Sequence, residues 1–321
     1  VGKNAGFAIT TGTNNTLVGA LAGDAITTGF SNTALGKDAL TATTTGDSNV
    51  SVGQNSMAAN TTGDDNVAIG QAALDANTTA DGNTAVGKSS LGANTTGNLN
   101  VAVGTSSLSA NTVGDRSVAV GYNALLVQNP DSNADMYNTA VGYAAGAAVT
   151  TGLENTLIGG RAGDALTDAD YNTAVGNLAL TNDTLGSKSV AIGRQALYTQ
   201  NFTSATNVFN TAVGYNAGYA TTTADANTLI GGLAGDAITT GSDNVAVGHN
   251  ALTDNTTGAS NTAIGTNAGG NITTANYNTA VGRQALLGAT TGAENTAVGT
   301  NAGLSVTTGI QNTIVGAFAG D

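Results

Sequence analysis

The chain has 321 residues, a formal net charge of −13, 46 glycines, one proline, no cysteine and only 9 % charged side chains. Without cysteine there can be no disulfide and no thiolate metal ligand. Its 21 acids against 8 bases offer no basic patch for nucleic acid or an anionic membrane, and no apolar run is long enough to cross a bilayer.

One short motif recurs from end to end. Asn-Thr-Ala-Val-Gly at 83–87 closes on a glycine whose counterparts stand at 2, 19, 36, 53, 70, 104, 121, 142, 159, 176, 193, 214, 231, 248, 265, 282, 299 and 316. Every interval is 17 residues except 121–142 and 193–214, which are 21. A fixed short period marks a repeat array. The expectation is a single continuous array over 1–321, about nineteen coils with enlarged loops at 126–137 and 198–209. The pattern starts and stops in mid-coil without polar caps, which reads as a window of a longer fibre protein.

With the column glycine as position 0, each unit is read in order. Position −4 is Asn in sixteen of the eighteen complete units, Asn83, Asn100, Asn172 and Asn244 among them, with Ser117 and Ser189 as the exceptions. Identical amides stacked at the inter-strand spacing can donate and accept along the stack as a ladder; Asn in a turn conformation is the alternative. Position −3 is Thr or Val, −2 is mostly Ala, and −1 is Val, Ile or Leu. Side chains alternate along a strand, so −3 and −1 share one face and the Ala column occupies the other. Both faces are mostly apolar, the pattern of a strand buried on two sides.

Positions +1 and +2 vary, +3 is Ala or Ser, and +4 is Leu, Met or Gly, which reads as a second short strand. A Thr-Thr-Gly corner often follows, as at 95–97. Strand, bend, strand, turn gives an all-β parallel β-solenoid of 17-residue coils, a rod roughly 90 Å long at about 4.8 Å per coil. A continuous Ala column needs a flat partner, and the same column from symmetry-related chains would serve in a homotrimer. Two sheets of one solenoid in face-to-face contact would serve as well.

Ser117-Val118-Ala119-Val120-Gly121, Ser189-Val190-Ala191-Ile192-Gly193 and Val67-Ala68-Ile69-Gly70, each followed by two variable residues and a small one, resemble the repeat of trimeric autotransporter adhesin heads. The fuller unit resembles repeats of phage tail fibres. The resemblance implies a left-handed β-roll, a homotrimer, and an extracellular, cell-surface or virion location as a fibre shaft or adhesin segment that presents a binding element.

Chemistry is sparse. His249 stands alone in the variable +1 column, no nucleophile motif accompanies it, and acid pairs such as Asp64/Asp65 lie in turns, where Asp is expected for backbone reasons. The chain is therefore expected not to be an enzyme and to hold no cofactor. Four units read Ala-Gly-Asp, ending at Asp24, Asp164, Asp236 and Asp321, without the dense Gly/Asp spacing of calcium-binding β-rolls. No metal site is expected.

The enlarged coils carry the exceptions. Each follows one of the two Ser units, and each Ser is preceded by a base, Arg116 or Lys188. Around them cluster Tyr122, Met136, Tyr137, Tyr143, Tyr198, Phe202, Phe209 and Tyr215. Loops that interrupt a rigid repeat are where recognition is usually placed, so these eight are the candidate ligand-binding residues, for a cell-surface glycan or protein. A single copied bulge explains the same recurrence without function. A monomeric solenoid in a surface or matrix layer is a further alternative.

Overall fold

The computed structural model describes residues 2–321 and divides the chain after Leu157 into two compact units. Each is a parallel β-solenoid with one three-residue strand per coil, and no helix occurs among the described residues. In the first unit the strands run from Thr16–Val18 to Thr139–Val141, paired parallel and in register, Thr84 beside Val101 and Val118 beside Thr139. The second unit repeats this from Thr173–Val175 to Thr313–Val315. Among the described residues eighteen such strands occur, one fewer than the column glycines.

The column glycine is fixed by its backbone. Its φ runs from +130° at Gly87 to +147° at Gly36, a region closed to residues with a side chain. A Cβ on Gly104 would stand 2.5 Å from the carbonyl oxygen of Gly121 in the next coil. Stacking and conformation thus demand the same residue.

The second strand expected after the glycine does not form. That stretch is a chain of turns in which positions +2 and +4 adopt left-handed backbone, as at Asp38 (φ 57°) and Leu40 (φ 52°). Left-handed leucines are costly in isolation. Here successive amides point to opposite neighbours: Ser89 N–H donates to Gln71 in the preceding coil at 3.0 Å, and Leu91 N–H to Ser107 in the following coil at 3.0 Å. The turn backbone is thereby hydrogen-bonded in both stacking directions, which offsets the strain.

The interior also reverses one expectation. The Ala column at −2 points into the chain's own core, where Ala102, Ala119, Ala174 and Ala246 are 0 % exposed. It meets the +3 and +4 columns of its own coil and is closed to any second chain. The opposite strand face, positions −3 and −1, is the one left open: Leu35 is 49 % exposed and Ile264 41 %.

Core volume is balanced coil by coil. Where +4 is Gly, the space is taken in most coils by Ile, Val or Leu at +7 or by Leu or Ile at −2: a Cβ on Gly235 would meet Ile238 Cδ1 at 2.7 Å and Leu229 Cδ2 at 2.8 Å, while at Gly218 the neighbouring coils' Leu229 and Leu197 fill it at 2.8 and 2.9 Å. Where +4 is Leu or Met, −2 is Ala or Ser and +7 is a buried polar residue or Ala, as with Met57, Ser51 and Asn60. Large groups alternate between columns so that each thin coil is filled without overlap.

Candidate functional site

The Asn column is a load of hydrogen bonds carried between coils. Asn83, Asn100, Asn172 and Asn244 are all fully buried. Asn100 Nδ2–H donates to the carbonyl of Gly114 at 2.8 Å, and its own N–H donates to Asn83 Oδ1 at 2.9 Å. Asn244 repeats this with Gly258 at 2.9 Å and Asn227 at 2.9 Å, and Asn172 Nδ2–H donates to Gly186 at 2.9 Å. The main links therefore join side-chain amide to backbone. Most direct amide-to-amide contacts are longer, 3.2 Å for Asn261 Nδ2 to Asn244 Oδ1, although Asn312 Nδ2 reaches Asn295 Oδ1 at 2.9 Å.

The Ser exceptions follow from the enlarged coils. Each insertion pairs two short segments in parallel, Gly114–Asp115 with Ala134–Asp135 in the first unit and Gly186–Ser187 with Thr206–Asn207 in the second. A longer side chain then enters the core at +7. Gln128 Nε2 donates to Ser117 Oγ at 2.9 Å and Gln128 Oε1 accepts from Asn138 Nδ2 at 2.9 Å. In the second unit Gln200 bridges Ser189 (3.0 Å) and Asn210 (2.9 Å) in the same way. Ser makes room for Gln, and the polar column stays connected across the larger coil.

The two insertions differ at one buried point. Asp183, fully buried, accepts at Oδ1 from Gly186 N–H at 3.1 Å and Phe202 N–H at 3.0 Å, and at Oδ2 from Gln200 Nε2 at 2.5 Å. The first unit has Asn111 and Pro130 at the corresponding places, and proline has no N–H. Asn111 Oδ1 is left buried without a partner.

Of the eight candidate ligand-binding residues, two belong to the core: Met136 is 0 % exposed and Phe202 9 %. They form no outer surface, because the insertions fold back over the coil and need apolar cover. Tyr198 is half-buried and stacks on Tyr219 with centroids 5.0 Å apart and planes 1° from parallel. Tyr122, Tyr137, Tyr143, Phe209 and Tyr215 are exposed.

These five fall into two columns that flank the outward strand face, −5 before the strand and +1 after it. Tyr122 and Tyr143, both at +1, stack at 5.6 Å and 8°. At −5, Arg116 lies over the Tyr137 ring at 5.9 Å and pairs with Asp135, which also accepts from the Tyr137 hydroxyl at 3.2 Å. In the second unit Lys188 lies over Phe209 at 5.4 Å in the −5 column, and Arg194 over Tyr215 at 5.8 Å in the +1 column. Arg194 is the member that motif reading passes over, although its 21-residue spacing to Tyr215 matches that of Lys188 to Phe209. Stacking turns one face of each tyrosine onto its neighbour, so these rings form ridges and not open platforms.

Three of the four Ala-Gly-Asp acids are paired through hydroxyls one coil on. Thr41 Oγ1 donates to Asp24 at 2.7 Å, Thr253 to Asp236 at 2.6 Å, and Thr181 to Asp164. Burial raises the Asp236 carboxyl above its usual range, opposed by the Thr253 hydrogen bond; burial raises Asp75 likewise. Among the described residues no three His, Asp or Glu side chains converge as metal ligands, and no pocket is formed.

The open surface that the sequence builds most consistently is thus the −3/−1 face, uncharged in every coil and bordered by the −5 and +1 columns. No protein-family model, no curated protein and no solved structure matches the chain.

Proposed function

We propose that this chain is a structural shaft segment of an extracellular or virion surface fibre, assembled as a parallel homotrimer through its outward strand face. The observation that carries the reading is that face. In each unit it consists of Thr or Val at −3 and Val, Ile or Leu at −1, with no charged residue. Eight strands about 4.8 Å apart, with the two columns some 7 Å apart along the strand, give an uncharged stripe of roughly 270 Å² in the first unit alone. Its continuity from coil to coil, more than its area, makes it the surface for an interaction. Its flat, repeating form suits another copy of itself, and three copies around an axis is the assembly implied by the resemblance to adhesin heads and tail fibres. The repeat solenoid fold is compatible with a fibre-like role, and the reading assigns no catalytic step.

The test separates the two strand faces. Light scattering of the wild type should return a trimer. Val103→Lys or Val247→Lys, on the outward face, should keep the circular dichroism spectrum and yield monomers, because three ammonium groups brought together in a dry seam cost on the order of several kcal/mol. Ala174→Glu, on the inward face, should unfold the chain outright. A monomeric wild type at micromolar concentration overturns the proposal.

A further inference from the structure

We infer that the two coils flanking the first insertion are a register mark, which locks neighbouring copies of this chain at one axial alignment. The inference rests on the assembly proposed above and adds what that assembly lacks. A face made of near-identical coils has a slippage problem: moving one chain by a single coil, about 4.8 Å, buries nearly the same Thr/Val and Val/Ile columns. Val86 and Val103, or Thr84 and Val101, are close to interchangeable across such an interface. Something outside the face must distinguish the registers, as a single buried Asn does in a coiled coil.

The −5 and +1 columns are placed to do so. They lie at the two ends of the outward strand, so in parallel copies around an axis the −5 edge of one chain meets the +1 edge of the next at the same level. In the first unit only the coils closing at Gly121 and Gly142 carry a cation or ring at both edges. These are Arg116 and Tyr137 on one side, Tyr122 and Tyr143 on the other. Elsewhere the −5 column holds residues such as Ser31, Ser48, Asp65 and Gly82, and the +1 column Gln54, Gln71 and Thr105. In register, guanidinium and phenol of one edge meet the tyrosine pair of the next, an arrangement favourable through cation–π and ring contacts. A slip of one coil sets Arg116 opposite Thr105, and a slip of two in that direction removes the match.

The second unit carries no equivalent mark: at the coil closing at Gly193 the two edges are Lys188 and Arg194, like charges that would stand level in register, and only Phe209 and Tyr215 at Gly214 match. Tyr277 and Arg283 repeat the ring-to-cation pairing once, singly. The first insertion reinforces its mark by position, since it enters the chain just before −5. In the first unit the inserted Asp135 holds Arg116 and Tyr137 in place. The occupant is therefore a second copy of this chain: edge and counter-edge complement one another, they lie on the same coils, and both are continuous with the uncharged face.

The absence of cysteine permits a direct test. Ile69→Cys and Val103→Cys, both at −1 and two coils or about 9.6 Å apart along the stack, are made in two chains of different tagged mass, mixed, refolded and oxidised. Cα atoms more than about 7 Å apart cannot be bridged by a disulfide, so chains in register give links between like variants only. The register-free background has Ser at 116 and 137 and Thr at 122 and 143, residues that the same columns hold in regular coils. In that background the mixed disulfide should rise at least about five-fold, given several lost ring and cation contacts. A milder background, with only the two +1 changes, should move the same way. If disulfides form and the mixed product stays at the wild-type level in both backgrounds, the register inference is overturned while the assembly stands. A wild type that is monomeric and forms no specific link overturns the assembly itself.

Discussion

Replacing Asn244 by Ala tests whether the buried amide column holds the coils together. Asn244 donates to Gly258 at 2.9 Å and accepts the Asn261 N–H at 3.0 Å. Truncation strands the Asn261 N–H in the dry interior, while the Gly258 carbonyl still accepts from Asn255 Nδ2 at 3.0 Å and Asn261 Nδ2 keeps its bond to Ala275 at 2.8 Å. At about 1–3 kcal/mol for one stranded group the loss is of that size. For a unit spanning residues 158–321 that corresponds to a melting-temperature drop of roughly 2–12 °C. Asn250→Ala is the control. Its Oδ1 has no partner, and Ala72 and Ala144 hold the same column at φ 53° and 51°, so it should change stability by less than about 1 kcal/mol. Calorimetry gives the melting temperatures, and amide exchange at Asn261 reports the lost acceptor directly. Equal melting of the two variants, with Asn261 still protected, would refute the column as the inter-coil tie.

Two further outcomes follow from backbone and burial. Gly104→Ala places a Cβ 2.5 Å from the Gly121 carbonyl oxygen at φ 134° and should cost at least about 3 kcal/mol, whereas Gly92→Ala, whose nearest contact is 3.3 Å, should be tolerated within about 1 kcal/mol; urea unfolding distinguishes them. Asp236 has a folded pKa raised above 3.8 by burial, so its contribution favours the fold below that value and is lost as the pH rises through the folded pKa. Wild type should therefore lose more stability than Asp236→Asn between acid and neutral pH, and parallel melting curves for the two would count against a buried Asp236.

Much of the architecture was legible from spacing. The 17-residue glycine column, the Thr/Val-Ala-Val/Ile alternation and the Asn column define a parallel solenoid, because a stacked coil repeats its constraints at a fixed interval. The coincidence of Ser117 and Ser189 with the two long coils was visible as well. Its cause was not, since the Gln128 and Gln200 bridges join residues 10 and 11 positions apart that meet only across the core. Met136 and Phe202 were grouped with the exposed aromatics because composition alone does not say which way an inserted loop folds.

By itself the sequence determined the period, the alternation of the strand before each glycine and the positions where the pattern breaks, since each of these is set by local stereochemistry repeated along the chain; that turns and not a second strand follow the glycine was decided by the stacking. Only the tertiary structure decided which strand face is inside. Ala and Val/Ile columns are both apolar, and alternation separates them without saying which meets the core. That choice depends on the space left by +3 and +4: left-handed turns bring those columns so close behind the strand that only Ala fits there in most coils, and Leu only beside a glycine. The larger Val, Ile and Thr side chains are left outside, where a second chain can reach them.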